Sequence, residues 1–145
     1  MMRFLLSPSL SDPKYFSLLV LGLRLLFGIL LMTHGIDKLS HYSELSATFP
    51  DPLGIGSQWS LRLAIFGEVV CSVAFIVGFL FRLSVIPMII TMLTAFAQVH
   101  HGRIAEGELA FVYLAVFILL FVSGPGRYAV DSLLFRVNKD KAFNL

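Results

Sequence analysis

Charge is scarce in this chain. Only 14% of its 145 residues are Asp, Glu, Lys or Arg, while 57% are hydrophobic, and mean hydropathy is +0.86. A typical soluble domain is about 45–50% apolar and about 25% charged, so a water-soluble fold of this size is excluded: it could not hide so many apolar side chains. Cysteine is almost absent. Cys71 stands alone, which excludes an intrachain disulfide and a Cys-x-x-Cys redox pair. No basic cluster is interleaved with aromatics, so no nucleic acid is expected as a partner. The apolar stretches carry no haem-ligand pattern, and no nucleotide or flavin fingerprint is present, so no cofactor is evident. No metal site is expected either, because His100 and His101 are adjacent and diverge around a helix.

What is there is apolar sequence in long runs. Four stretches, at about residues 16–33, 61–80, 83–99 and 109–123, approach the ~20 residues that cross about 30 Å of hydrocarbon. The expected fold is all-α: an integral membrane four-helix bundle in a single domain spanning residues 1–145. "DPLGIGSQWS" breaks the chain before the second stretch, with Ser60 as a candidate N-cap and Trp59 as an interfacial anchor. "GFLFRLS" makes a tight hairpin between the second and third. "GPGRY" stops the fourth, since Gly124, Pro125 and Gly126 do not continue a helix. The first stretch follows a polar "SPSLSDPK" and holds Arg24, which speaks against a cleaved signal peptide.

Positive charges set the expected orientation. With the N-terminus inside, the cytoplasmic segments hold Arg3, Lys14, Arg82, Arg127, Arg136, Lys139 and Lys141, and the outer loops hold Lys38, Arg62 and Arg103. Seven against three favours both termini in the cytoplasm. A long outer loop then joins the first two helices. The "YAVDSLLFRVNKDK" tail is expected to form an interfacial helix, with Val130, Leu133, Leu134 and Val137 at helical spacing. Within it, Asp131 is expected to cap that helix or tether it to Arg127.

Two charges fall inside the apolar stretches, Arg24 in the first and Glu68 in the second. Each costs roughly 2.5–3.5 kcal/mol at the centre of a helix on insertion scales. Opposite signs on adjacent helices suggest a pair facing the bundle interior. Arg24, Gly28, Leu31, Gly35 and Lys38 form one stripe, on which Gly28 and Gly35 would let another helix approach closely. Glu68 shares a face with Leu61, Cys71, Ser72 and Phe75, and Thr91, Thr94, Gln98 and His101 make a polar stripe on the third helix. The candidate intramembrane site is Arg24, Glu68 and Gln98. Its candidate outer mouth is His34, Lys38, His100, His101 and Glu108. A structural clamp and a ligand or proton role are both open for Arg24 and Glu68, and back-bonding to helix carbonyls is expected of the threonines.

In order along the chain, Arg24, "HGIDKL" with Gly35 and Lys38, Glu68, "GFLFR", "HHG", Glu108 and "GPGRYAVD" resemble the DoxX family of small bacterial membrane proteins, from about residue 18 to 134. The resemblance implies a four-helix bundle in the bacterial inner membrane. It also implies links to quinone chemistry and to membrane oxidoreductase assemblies that handle oxidative stress.

Three functions follow as expectations. The first is a redox-associated membrane subunit holding a bound quinone or lipid, with oxidoreductase or stress-defence partner proteins. The second is a small proton-coupled carrier. The third is a non-catalytic scaffold for partner proteins. The lipid bilayer is the expected surrounding, and a homo-oligomer would be needed for a sizeable transport path.

Overall fold

Hydrocarbon offers no water to backbone N–H and C=O groups, so a chain crossing it closes those bonds internally as helix. The computed structural model describes residues 13–134, and these are all-α, with no strand among the described residues. Four helices are long and apolar enough to cross a membrane: α1 Pro13–Ser40, α3 Ser57–Val77, α4 Phe81–Val99 and α5 Ile104–Ser123. A short α2, Tyr42–Leu45, lies in the connection between α1 and α3. The chain is an integral membrane four-helix bundle. Of the expected tail helix, residues 130–134 are helical, Tyr128 and Ala129 belong to the turn before it, and the part from residue 135 on lies outside the described residues, as does Arg3.

The helices outrun the apolar stretches. α1 runs to Ser40 rather than ending near residue 33, so Lys38 is a helical residue and not a loop residue. Helix α3 begins at Ser57 behind an N-cap Gly56, which places Ser60 inside the helix rather than at its cap. Two turns depart from α-geometry. Phe66–Val70 in α3 and Ala95–Val99 at the end of α4 are π-helical, a local widening that often marks functional positions.

The inward stripe of α1 is Ser17, Val20, Arg24, Gly28, Leu31 and Gly35, all buried. A Cβ on Gly35 would stand 2.6 Å from Val69 Cγ2 and 2.8 Å from Glu68 Cβ, and one on Gly28 would collide with Ile76. The two glycines therefore set how closely α1 approaches α3. Phe75 stacks on Phe81 at 5.3 Å and meets Phe117 edge-on at 5.5 Å, which joins α3, α4 and α5 in one aromatic core. The outward faces carry exposed Leu26, Leu83, Leu119 and Val122, as lipid contact requires.

One end of the bundle is tied by two charged side chains. Arg24, fully buried, donates from Nε to the Phe75 carbonyl (3.0 Å), from Nη2 to Ile76 (2.6 Å), and from Nη1 to Pro125 (2.9 Å) and Tyr128 (3.2 Å). These are carbonyls left open by the turns after α3 and α5. The Asp131 carboxylate accepts from the N–H groups of Leu80 (2.9 Å) and Phe81 (2.8 Å), so it caps α4 instead of tethering to Arg127. Gly78, with φ of +75°, makes the turn between α3 and α4, and a Cβ there would strike the Arg24 guanidinium. Both chain ends of the described region lie at this end, since the Arg127 N–H donates to Ser17 Oγ at 3.3 Å.

Candidate functional site

At the opposite end, α1, α3 and α4 meet the connection between α1 and α3. Glu68 sits in the π-turn of α3 with its side chain 5% exposed, and the Lys38 ammonium donates to its Oε2 at 2.6 Å. This overturns the expected Arg24–Glu68 pair. On α1, Arg24 lies 14 positions before Lys38, which is about 21 Å of helix at 1.5 Å per residue. The charge count put Lys38 in an outer loop because the apolar run stops before it, while the stripe through Gly28 and Gly35 already reached it; the helix runs on to Ser40.

The pair borders a pocket of about 330 Å³. The connection roofs it with Phe49, Pro50, Pro52 and Leu53, while Leu63 of α3 and Ile90 of α4 stand at its sides. Leu63 and Ile90 are both half exposed on the outward faces of α3 and α4, as are Leu53 and Ile55 of the connection. Its polar groups are the Lys38–Glu68 pair, Ser60, Thr91, Thr94 and His100. An apolar cavity with a few convergent polar groups is the usual form of a small-molecule site.

The roof is fastened at one carboxylate. Asp51 accepts from the N–H groups of Ile55 (3.0 Å) and Gly56 (2.7 Å) and from the Ser60 hydroxyl (2.7 Å). The Ser60 hydroxyl, then the Gly56 N–H, hold the Asp51 carboxyl below its ordinary range. Gly54 and Gly56 both have positive φ, +68° and +98°, which this tight return needs. A second fastening is Arg62, which donates to the Tyr42 hydroxyl at 2.8 Å and lies 4.9 Å over the Trp59 ring. Asp51 was not among the expected site residues, although an Asp-Pro followed by two glycines is itself a turn signal.

The expected site residues separate into groups. Lys38, Glu68 and His100 come together at the pocket. His34 is exposed, with its ring edge-on to Tyr113 at 6.3 Å, and is near enough to act electrostatically on Glu68. Tyr113, buried on α5, meets His34 and also the Phe27 ring edge-on at 5.6 Å, and nothing in its apolar run distinguishes it in the sequence. Arg24 belongs to the other end of the bundle. Gln98, His101 and Glu108 are exposed and do not line the pocket. The stripe Thr91, Thr94, Gln98 and His101 assumed 3.6 residues per turn. The π-turn shifts the register, with the His100 N–H bonding back to Ala95 at 3.0 Å, and His100 rather than Gln98 reaches the pocket. Thr91 does bond back along its helix, to the Pro87 carbonyl at 2.9 Å. No group of three or more potential metal ligands occurs among the described residues.

A more open groove of about 500 Å³ lies at the Arg24 end, against Pro13, Phe16, Ser17 and Arg127. Among the described residues that line it, the one charged side chain, Arg127, is exposed.

The DoxX family model matches residues 19–101 of the chain. The inner membrane protein YqjF of Escherichia coli is 32% identical over 122 residues, covering 79% of this chain and 91% of that protein. The membrane protein Rv3486 of Mycobacterium tuberculosis is 26% identical over 131 residues, covering 79% of this chain and 80% of the relative. No solved structure matches. The matched region holds α3 and α4 entire together with Arg24, Lys38, Glu68 and His100, and the chain belongs to the DoxX family.

Proposed function

We propose that this protein is a quinone-associated subunit of the bacterial inner membrane, holding the ring of a membrane-dissolved quinone-type molecule in the pocket beside Lys38 and Glu68. The observation that carries this reading is the pocket itself: largely apolar, bordered by the half-exposed Leu63 and Ile90 on apolar outward faces, and ended by the ion pair of Lys38 with the buried Glu68. Its volume of about 330 Å³ suits a substituted ring, at the lower end of the ~300–1,000 Å³ usual for ligand sites. The isoprenoid tail then lies in the bilayer. Prolines and a phenylalanine in the roof give a flat apolar surface for a ring, and Lys38 offers a donor to a ring oxygen. The family's links to quinone chemistry point the same way, and YqjF is itself named as an inner membrane protein. The excess of Lys and Arg in the termini and the α3–α4 turn supports a cytoplasmic side for both termini, which would set the pocket near the outer surface. Oxidoreductase partners would supply and collect electrons.

The test is a titration of purified protein in nanodiscs with a short-chain benzoquinone. Trp59 is the sole tryptophan of the chain and reports by quenching. Saturable quenching and a raised melting temperature are expected, both weakened in Glu68→Gln. Absence of both in the wild type would refute the reading.

One observation favours the carrier alternative: a π-turn interrupts each of the two helices that wall the pocket. Under that reading, proteoliposomes show a proton flux that Glu68→Gln abolishes.

A further inference from the structure

The polar wall of the pocket has a definite hydrogen-bond polarity. Ser60 Oγ gives its proton to Asp51 at 2.7 Å, and Thr91 Oγ1 gives its proton to the Pro87 carbonyl at 2.9 Å. Carboxylate and carbonyl oxygens only accept, so neither hydroxyl has a second proton to offer, and towards a ligand each can act only as an acceptor. The Thr91 oxygen packs close to α3 at Gly67, where a Cβ would stand 2.7 Å from it. Glu68 adds a third acceptor. Lys38 binds its Oε2, and Oε1 makes no hydrogen bond among the described residues. Thr94 and His100 can turn to either role. Against these acceptors stands one committed donor, the Lys38 ammonium, with one of its three N–H groups already used. The two formal charges cancel, so the site as a whole calls for a neutral ligand.

A ligand that satisfies this wall must donate as well as accept. A ring hydroxyl does both: its oxygen accepts from Lys38, and its proton goes to Glu68, Thr91 or Ser60. A quinone carbonyl only accepts, and leaves the acceptors of the wall dry and unpaired, which disfavours the complex. We propose that the pocket selects the reduced, hydroxylated form of its ring ligand, a quinol or related phenol, over the oxidised quinone. This rests on the ring-binding reading above and adds to it a direction. Tighter binding of the reduced form makes the bound couple more oxidising, and a tenfold preference raises a two-electron midpoint potential by about 30 mV.

The experiment compares three probes of one ring on the full chain in nanodiscs: a short-chain benzoquinone, its quinol kept reduced under argon, and the dimethyl ether of that quinol. The quinol is expected to bind at least tenfold more tightly than the quinone, and the ether no better than the quinone because it has no proton to give. Thr91→Val keeps the shape and removes one acceptor. It is expected to cut the quinol-to-quinone ratio at least threefold, with melting measured alongside to confirm folding. Quinone binding equal to or tighter than quinol binding overturns the selection while leaving the ring-binding reading intact. A ratio unchanged by Thr91→Val overturns the assignment of selectivity to this wall. Binding of none of the three probes overturns the ring-binding reading and the selection with it.

Discussion

The Lys38 ammonium lies 2.6 Å from the Glu68 carboxylate and joins α1 to α3 across 30 positions of sequence. Glu68 is nearly enclosed, whereas Lys38 keeps about a quarter of its side chain exposed. Removing one partner strands the other in a dry site, and breaking such pairs costs about 3–5 kcal/mol, with the partial exposure of Lys38 favouring the lower end. Lys38→Met should therefore lower the melting temperature sharply. Lys38→Met with Glu68→Met should recover most of the loss, since two apolar side chains often replace a buried pair without penalty. Thermal unfolding in one detergent checks both. The double change Arg24→Glu with Glu68→Arg should restore nothing, because the two positions sit at opposite ends of the bundle.

Arg24 carries a different burden. Its guanidinium satisfies four backbone carbonyls from two separate turns. Lysine has a single nitrogen and cannot span them. Arg24→Lys should destabilise by about 2–4 kcal/mol, given that charged hydrogen bonds contribute about 1.5–3 kcal/mol each and some are remade. Ring binding at the distant pocket should be unchanged in the folded fraction. A quinone titration beside the melting curve separates the two effects.

Gly35 lies where α1 meets the Glu68 turn, with Val69 Cγ2 and Glu68 Cβ both under 3 Å from where a Cβ would stand. Gly35→Ala should push α1 away from α3 and cost about 1–3 kcal/mol, the usual range for overpacking. Gly22, which has open space around it, is the control: Gly22→Ala should be neutral or slightly stabilising, because it lies mid-helix. Paired melting curves decide.

The roof should loosen in acid. The Asp51 carboxyl is held below its ordinary range by Ser60 and Gly56, so its contribution to the closed roof is present above the unfolded pKa. That contribution is lost as pH falls through the folded one. Amide exchange at Ile55 and Gly56, whose N–H groups bond this carboxylate, should be protected at neutral pH. It should become unprotected only at a pH below the usual carboxylate range. Asp51→Asn should expose both amides at every pH.

Ser72 Oγ is buried and has no hydrogen-bond partner among the described residues. An unpaired buried hydroxyl costs about 1–3 kcal/mol, so Ser72→Ala should leave stability unchanged or raise it by about 1 kcal/mol. A drop in melting temperature would show that the hydroxyl has a partner in the membrane-embedded protein.

The helices were legible because length and apolar run suffice to identify a span, and Glu68 stood out as a carboxylate inside one. Lys38 as its partner was not legible. The first apolar run ends near residue 33, yet α1 continues to Ser40, because a helix end is set by backbone hydrogen bonding and not by where hydrophobicity stops. The Arg24–Glu68 pairing came instead from opposite signs on adjacent helices, which say nothing of depth along them. Gln98 was misplaced for a different reason: the π-turn at Ala95–Val99 leaves no sequence mark, and it moves every later residue off a stripe drawn at 3.6 per turn. Asp131 was expected to pair with a nearby arginine, but the open N–H groups of Leu80 and Phe81, some fifty positions away, hold it instead.

The most direct test of ring binding beside Lys38 and Glu68 is photolabelling of the full chain in nanodiscs with an azido-quinone, followed by peptide mapping. The account predicts that label concentrates on the roof at residues 49–55 and on α4 around Thr91–His100, and that excess unlabelled quinone removes it. Label confined to the groove at Pro13–Ser17 and Arg127, or spread evenly over the lipid-facing helices and indifferent to competitor, would contradict it.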